Sequence, residues 1–267
     1  MLLLDTDDLP PGERVEAYRA FATAETGACG VEHELGADGE FHSRLHAWHF
    51  GPVTLFRTQG SGMRYWQSPR HVSRDPWNTV SVMTQSAGRA GFACGGRQRR
   101  LGSPDLALAG RAAGAWEWNW SGTGESLALM MDVEELGLPD AMIRAAVPLA
   151  AHSDVTFLLL TQLTAINADA DRLAAEPGSG GVGAAVVALV RAFVASAVGG
   201  PAVREVAEQT RLPRILAYVR AHAAEPGLTP ERIAAAHNLT PAALHRLCEE
   251  EGLDLHAWRR RDATGLN

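Results

Sequence analysis

The side chains of this 267-residue chain that could do chemistry are His, Cys, Trp and Arg. His42, His46 and His49 lie close together and invite a metal site. On a strand, however, His42 and His46 share one face and His49 falls on the other. The His-x-His-plus-carboxylate spacing that brings several ligands to one ion is absent. No metal or other cofactor is therefore expected, and each imidazole is read as exposed or singly hydrogen-bonded. Cys29, Cys94 and Cys248 have no His beside them in a nucleophile–base arrangement and are read as small buried thiols. There is no Gly-x-Ser-x-Gly elbow, and a chain without Lys cannot carry a phosphate loop ending in Gly-Lys-Ser/Thr. An enzyme is not expected. Trp116, Trp118 and Trp120 alternate, so on a strand all three indoles point the same way. They either wall a pocket for an aromatic ligand or pack beneath the helices that follow. The second reading is preferred, because aromatic residues dominate cores. Arg97-Gln98-Arg99-Arg100 reads as a solvated hairpin face.

Composition bounds what these groups can serve. All 24 basic residues are Arg, set against 31 acids, and the net charge of -7 speaks against non-specific coating of nucleic acid. The charge is uneven: from Arg204 onward nine Arg balance nine acids, so the acidity belongs entirely to the first 203 residues. An odd number of widely spaced cysteines excludes a disulfide scaffold and a Cys-rich zinc site, and suits a reducing cytosol. The apolar runs are read as too short for the ~20 residues of a membrane span. Met1-Leu2-Leu3-Leu4-Asp5 has acids nearby where a signal peptide has bases. A cytoplasmic protein of one or two domains, with no membrane partner, is expected.

The elements that must position these residues change character along the chain. Residues 11–25 place Val15, Tyr18 and Ala22 at helical spacing after a Pro-Gly start. From about Phe41 to Asp132, short runs around Val53, Thr79 and Ser126 are broken by Gly, Pro, Asn and Ser, which predicts a sandwich or barrel of antiparallel strands. Gly95-Gly96 and Ser103-Pro104-Asp105 are the clearest turns. Beyond Asp132 the pattern is helical. Ser153 is the expected N-cap of a helix carrying Val155, Leu158, Leu159, Gln162 and Ile166. The Gly-rich run 176–183 reads as a flexible connector. The stripe Val182, Val186, Leu189, Val190, Phe193 and Ala197 reads as either intrachain core or a dimer interface. Gly199-Gly200-Pro201 marks the boundary to a helical tail.

In that tail two helices begin with the same pair, Thr229-Pro230 and Thr240-Pro241. Thr accepts a hydrogen bond from an orphan N–H of the first turn, and Pro there loses nothing because its own N–H would be unpaired. Asn238 between them tolerates a left-handed turn. Ile233, Leu239, Leu244 and Leu247 are the apolar positions, and the small Ala234 falls where two backbones would cross. A preceding helix over 212–224 turns Ile215, Leu216 and Val219 inward. These are the requirements of a helix-turn-helix, although a plain helical hairpin needs similar spacing.

The run 215–261 resembles the first half of the DNA-binding module of AraC/XylS-type transcription regulators. The likeness rests on Ile215, Tyr218-Val219, Leu228-Thr229-Pro230, Ile233-Ala234, Leu244-His245-Arg246-Leu247, Gly252-Leu253 and Trp258-Arg259-Arg260-Arg261. Residues 70–110 are similar to that family's cupin-like sensor domain. The resemblance implies an α+β fold. A cupin-like β-barrel or sandwich sensor with trailing helices, also used for dimerisation, would span 1–200, and an all-α helix-turn-helix domain 204–267. It implies DNA, a small-molecule effector and a second copy of the chain as partners. The reading face would be Thr240, Ala242, Ala243, His245 and Arg246: Arg can fork onto guanine, and Thr can touch a thymine methyl. Arg259 and Arg260 would fix position on phosphates. Such regulators carry a second helix-turn-helix, which the sequence does not reach by Asn267, and Glu249, Glu250 and Glu251 oppose both the helix dipole and phosphate. DNA binding is therefore expected to be weak. The alternative is a ligand-binding or heterodimerising interaction protein whose tail no longer binds DNA.

Overall fold

The computed structural model describes residues 1–27, 29–74, 78–103, 105–199, 215–216, 218–219, 228–237 and 239–250. Pro104, Gly200, Pro201, Asn238, Trp258, Arg259, Arg260, Arg261 and much of 212–224 lie outside them. The chain divides into two compact units, Met1–Val203 and Arg204–Asn267.

The first unit is built on two antiparallel sheets. One carries β1 (Leu2–Asp5), β3 (Ser43–Phe50), β4 (Val53–Gly60), β11 (Gly124–Asp132), β6 (Thr79–Ala87) and β9 (Ala107–Gly110), in the order β1-β3-β4-β11-β6-β9. The other runs β2-β5-β10-β7-β8, from β2 (Gly30–His33), β5 (Met63–Gln67), β10 (Trp116–Trp120), β7 (Ala90–Cys94) and β8 (Arg97–Leu101). The three apolar runs read from the sequence are β4, β11 and β6, adjacent in one sheet. Gly95 and Gly96, both at positive φ (58° and 75°), form the two-residue hairpin turn between β7 and β8, as their pairing predicts. Arg97–Arg100 then lie on an edge strand, largely exposed.

Helices cover one face of the six-stranded sheet. After α1 (Pro11–Thr26) and the short α2 (Pro69–Arg74) come α3 (Val133–Leu136), α4 (Asp140–Ala146), α5 (Thr156–Ala168), α6 (Ala170–Ala175) and α7 (Ser179–Val198). α7 packs on β3, β4, α3 and α4. Strand alternation separates the sheet's two faces. Val53, Leu55, Val80, Val82, Leu127, Leu129 and Met131 are all buried, whereas Thr79, Ser81, Ser126, Ala128 and Met130 on the opposite face are only half-buried. One close-packed layer thus lies between sheet and helices, and Phe56, Met63, Met83 and the residues Trp116, Trp118 and Trp120 are buried between the sheets.

Three expectations about the helices change. α7 is long and apolar enough to cross a membrane by composition, contrary to the reading of short apolar runs. Its Val186, Val190, Phe193 and Ala197 are buried in the chain's own core, so this stripe is not a free dimer surface. Arg191, its one charged residue, donates to the carbonyl oxygens of Leu136 (2.6 Å) and Glu135. The Gly-rich run is not a flexible connector throughout. α7 begins at Ser179, and Gly183 is buried where a Cβ would stand 1.6 Å from the carbonyl oxygen of Phe50. Glycine is needed there for close backbone approach, not for freedom. Finally, α5 is capped by Val155 without a side-chain bond, and Ser153 accepts instead from the Val155 amide at 3.3 Å. Leu159, Leu160, Leu163 and Ile166 face inward, leaving Leu158 and Gln162 exposed and Phe157 75% exposed.

In the second unit, α8 (Pro230–Ala236) and α9 (Pro241–Glu250) meet over a core of Ile215, Val219, Leu228, Ile233, Ala234, Leu244 and Cys248. Tyr218, Leu239 and Leu247 pack against it. Both Thr-Pro caps form: Thr229 Oγ1 accepts from the Arg232 amide (3.3 Å) and Thr240 Oγ1 from the Ala243 amide (3.2 Å). The fully buried Ala234 accepts from the Leu239 amide at 2.8 Å across the turn.

Candidate functional site

A cavity of about 110 Å³ opens between the two sheets of the first unit. Alternation assigns its walls. Phe56 and Thr58 of β4, Ser126, Ala128 and Met130 of β11, and Thr79, Ser81 and Met83 of β6 form one side. Met63, Tyr65 and Gln67 of β5 and Trp116, Trp118 and Trp120 of β10 form the other. Tyr18 and Ala22 of α1 also line it. Space survives at the centre of the six-stranded sheet because Ala128, the smallest side chain in its row, sits between Phe56 and Met83.

The three tryptophans therefore line the cavity, and the preferred reading that they pack beneath the helices is overturned. They are buried, but by the facing sheet: Trp116 stacks on Tyr65 (5.6 Å between centroids), and Trp118 meets Phe92 at 6.1 Å. The indole N–H of Trp116 donates to Gln67 Oε1 at 3.0 Å. Tyr18 donates to Met63 Sδ at 3.3 Å, and burial pushes its phenol above the ordinary value, so it stays neutral at physiological pH. No residue lining the cavity carries a charge. An open recess of about 520 Å³ shares Thr79 and Met130 with it and bears Asp132 and Glu135.

The wall residues missed in the sequence had a weak signal. In Thr79-Val80-Ser81-Val82-Met83 and Ser126-Leu127-Ala128-Leu129-Met130 the small or polar positions alternate with branched apolar ones. That is how a strand looks when only one face is packed.

The three histidines go to separate places. His42 lies between Asp7 and Asp38, its Nδ1 2.5 Å from one carboxylate and its Nε2 2.8 Å from the other. Both bonds raise its pKa above the ordinary value. Because the carboxylates take opposite ring nitrogens, the three groups do not converge on one point. His46 stacks on Trp48 (5.3 Å), and burial followed by the charge of Arg57 lowers its pKa. His49 Nδ1 lies 3.0 Å from Thr54 Oγ1. Among the described residues no group of three His, Cys, Asp or Glu could hold a metal ion. Cys94 and Cys248 are buried, whereas Cys29 is half-exposed and lies 3.9 Å from Thr23 Oγ1.

In the second unit, Thr240, Ala242, His245 and Arg246 are exposed at the start and along one side of α9, and Ala243 is half-buried. His245 Nε2 lies 3.2 Å from Glu249 Oε1, one turn on. Arg259 and Arg260 are outside the described residues.

Residues 24–195 match the family model of the AraC-binding-like domain. The crystal structure of the AraC-like transcriptional activator CuxR is similar to this one with a TM-score of 0.59 and 20% identity, over 99% of this chain and 94% of that one. That likeness is one of fold. The EutQ protein of Clostridium difficile (7% identity, 38% of this chain, 75% of that one) and a putative mannose-6-phosphate isomerase of Ralstonia eutropha (16% identity, 38% and 92%) each give a TM-score of 0.28, too low to argue from. No curated protein matches the sequence.

Proposed function

Since the chain belongs to the AraC-binding-like domain family, we propose that it is a DNA-binding transcription regulator. In this reading 1–200 is a sensor and dimerisation domain that holds a small-molecule effector between its sheets. Residues 204–267 form a helix-turn-helix domain that reads DNA. The protein acts in the cytoplasm as a homodimer and catalyses no reaction.

The observation that carries the reading is the pair of Thr-capped helices closed over a core that includes the fully buried Ala234. A steep, close crossing of two short helices is what lets the second one enter a major groove by its N-terminal half. On α9 that half carries Thr240, Ala242, Ala243, His245 and Arg246, while Arg259 and Arg260 contact phosphates. Dimerisation supplies the second half-site that one short reading helix needs. The likeness of fold to a transcriptional activator agrees with this.

Gel retardation at low salt with DNA from upstream of the chain's own gene tests the proposal. Arg246→Ala is expected to weaken specific binding by about 1–3 kcal/mol and to relax the sequence preference. Unchanged affinity and preference would favour a second reading, a ligand-binding or heterodimerising protein with a tail deficient in DNA binding. The His245–Glu249 contact supports that second reading, because it sets a carboxylate beside the reading face. Sedimentation of a monomer at micromolar concentration would remove the homodimer.

A further inference from the structure

We propose that the cavity between the sheets selects a small single-ring aromatic compound that carries no negative charge and bears a hydroxyl group, a phenol or aryl alcohol. This rests on the sensor reading of the same unit and names the chemistry of what it senses.

Size sets the first limit. At about 110 Å³ the cavity is near the scale of the ~150 Å³ apolar cavity that accommodates benzene, so one ring fits and a fused polycycle does not. The wall sets the second. Trp116, Trp118, Trp120 and Tyr65 offer flat aromatic faces, and Met83 and Met130 offer polarisable thioethers, which suit a ring. With no charged group in the wall, an anion entering the cavity would lose its hydration and gain no partner.

The hydroxyl follows from two unmatched polar atoms. Trp120 Nε1, on a side chain only 4% exposed, is buried without a hydrogen-bond acceptor. Gln85 Oε1, fully buried, has no donor. Gln85 follows Ser81 and Met83 on the inward row of β6, and its amide nitrogen already donates to the Ala87 carbonyl at 2.8 Å. Both side chains pack closely against Gly124. A Cβ there would stand 2.9 Å from Trp120 Nε1 and 2.8 Å from the Gln85 amide nitrogen. One orphan donor and one orphan acceptor are both satisfied by a single hydroxyl, which gives one hydrogen bond and accepts another. A ligand that fills the ring space and leaves them unmatched forgoes that gain.

The experiment titrates the full chain with 4-methylphenol, toluene and benzoate, following tryptophan emission and the thermal midpoint. 4-Methylphenol is expected to bind saturably and raise the midpoint. Toluene should bind about fivefold to hundredfold more weakly, the worth of two net hydrogen bonds, and benzoate should not bind. Trp120→Phe is expected to keep toluene binding and erase the preference for the phenol, a change in ratio that loss of packing alone would not produce. Ala128→Leu, which fills the floor of the cavity, is expected to abolish both. The assignment is overturned if benzoate binds as well as 4-methylphenol, if 4-methylphenol does not bind, or if Trp120→Phe retains the full preference. The regulator reading is scored separately by gel retardation. Retarded DNA without ring binding removes only the ligand class, and ring binding without retarded DNA removes only the regulator.

Discussion

Gly183 is where α7 presses on the turn between β3 and β4. Replacing it with Ala sets two effects against each other. Propensity favours the substitution, since Ala stabilises a helix interior by about 0.5–1 kcal/mol relative to Gly. The contact opposes it. The new Cβ would fall 1.6 Å from the Phe50 carbonyl oxygen, 2.8 Å from its carbon and 3.2 Å from Pro52 Cδ. Ordinary non-bonded separations are about 3.5 Å, so helix and turn must part by well over 1 Å, and backbone cannot rotate away as a side chain can. Overpacking of this kind costs about 1–3 kcal/mol, occasionally more, and parting also loosens Val186, Val190 and Phe193 against the sheet. The contact wins, and Gly183→Ala is expected to destabilise by about 2 kcal/mol, lowering the thermal midpoint by about 4–8 °C. Gly181, two residues earlier in the same helix, has nothing within 4 Å of its would-be Cβ. There Ala is expected to be neutral or to stabilise by up to about 1 kcal/mol. Thermal and urea denaturation followed by circular dichroism compares the two. If Gly183→Ala matched Gly181→Ala, or exceeded the wild type, the close approach of α7 to the Phe50 carbonyl would be wrong.

Other substitutions probe separate links. Phe193→Ala empties a fully buried position in α7 and should cost about 3–5 kcal/mol, read as a shift in the urea midpoint at unchanged slope. Thr229→Ala removes the cap of α8 and should destabilise the second unit by about 1 kcal/mol, seen as earlier loss of helical signal from that unit alone. The His42 pairs make stability depend on pH in a defined direction. The folded pKa is raised above 6.5, so the contribution is full below that value and is lost as pH rises through the folded pKa. On the acid side, Asp38 is held below 3.8, first by the Glu40 amide and then by His42, so its share is present above 3.8 and lost as pH falls through the depressed value. The thermal midpoint should drop more steeply between pH 6.5 and 8.5 in the wild type than in His42→Gln. Parallel curves would show that these pairs contribute nothing.

What could be read from the sequence was whatever local spacing decides. The runs at Val53, Thr79 and Ser126 alternate with a period of two, which is enough to make them strands and to separate their faces. Thr229 and Thr240 cap because capping needs only four successive residues. The indoles at 116, 118 and 120 were correctly placed on one face, but alternation does not say what lies opposite. That is set by pairing with β5 and β7, tens of residues away. Gly183 misled for the same reason: a glycine that admits a distant carbonyl has the same letter as one that frees a linker. On α5, Leu158 and Leu159 are neighbours of equal hydropathy, and only the packing against α7 chooses which of them is buried.

β11 runs through the middle of the larger sheet with a different medium on each side. Leu127, Leu129 and Met131 are set in the dense helix-covered layer, while Ser126, Ala128 and Met130 border a space that solvent can reach. The partition between them is one peptide unit thick. A solid interior on one side fixes the strand's register, because a slip of one residue would send Ser126 and Ala128 into the dense layer and strand two leucines over the opening. The hollow side can therefore vary in sequence without the fold losing its reference frame, and Ser81, Ser126, Ala128 and Met130 are the places where a change of wall would change the occupant and leave the building standing.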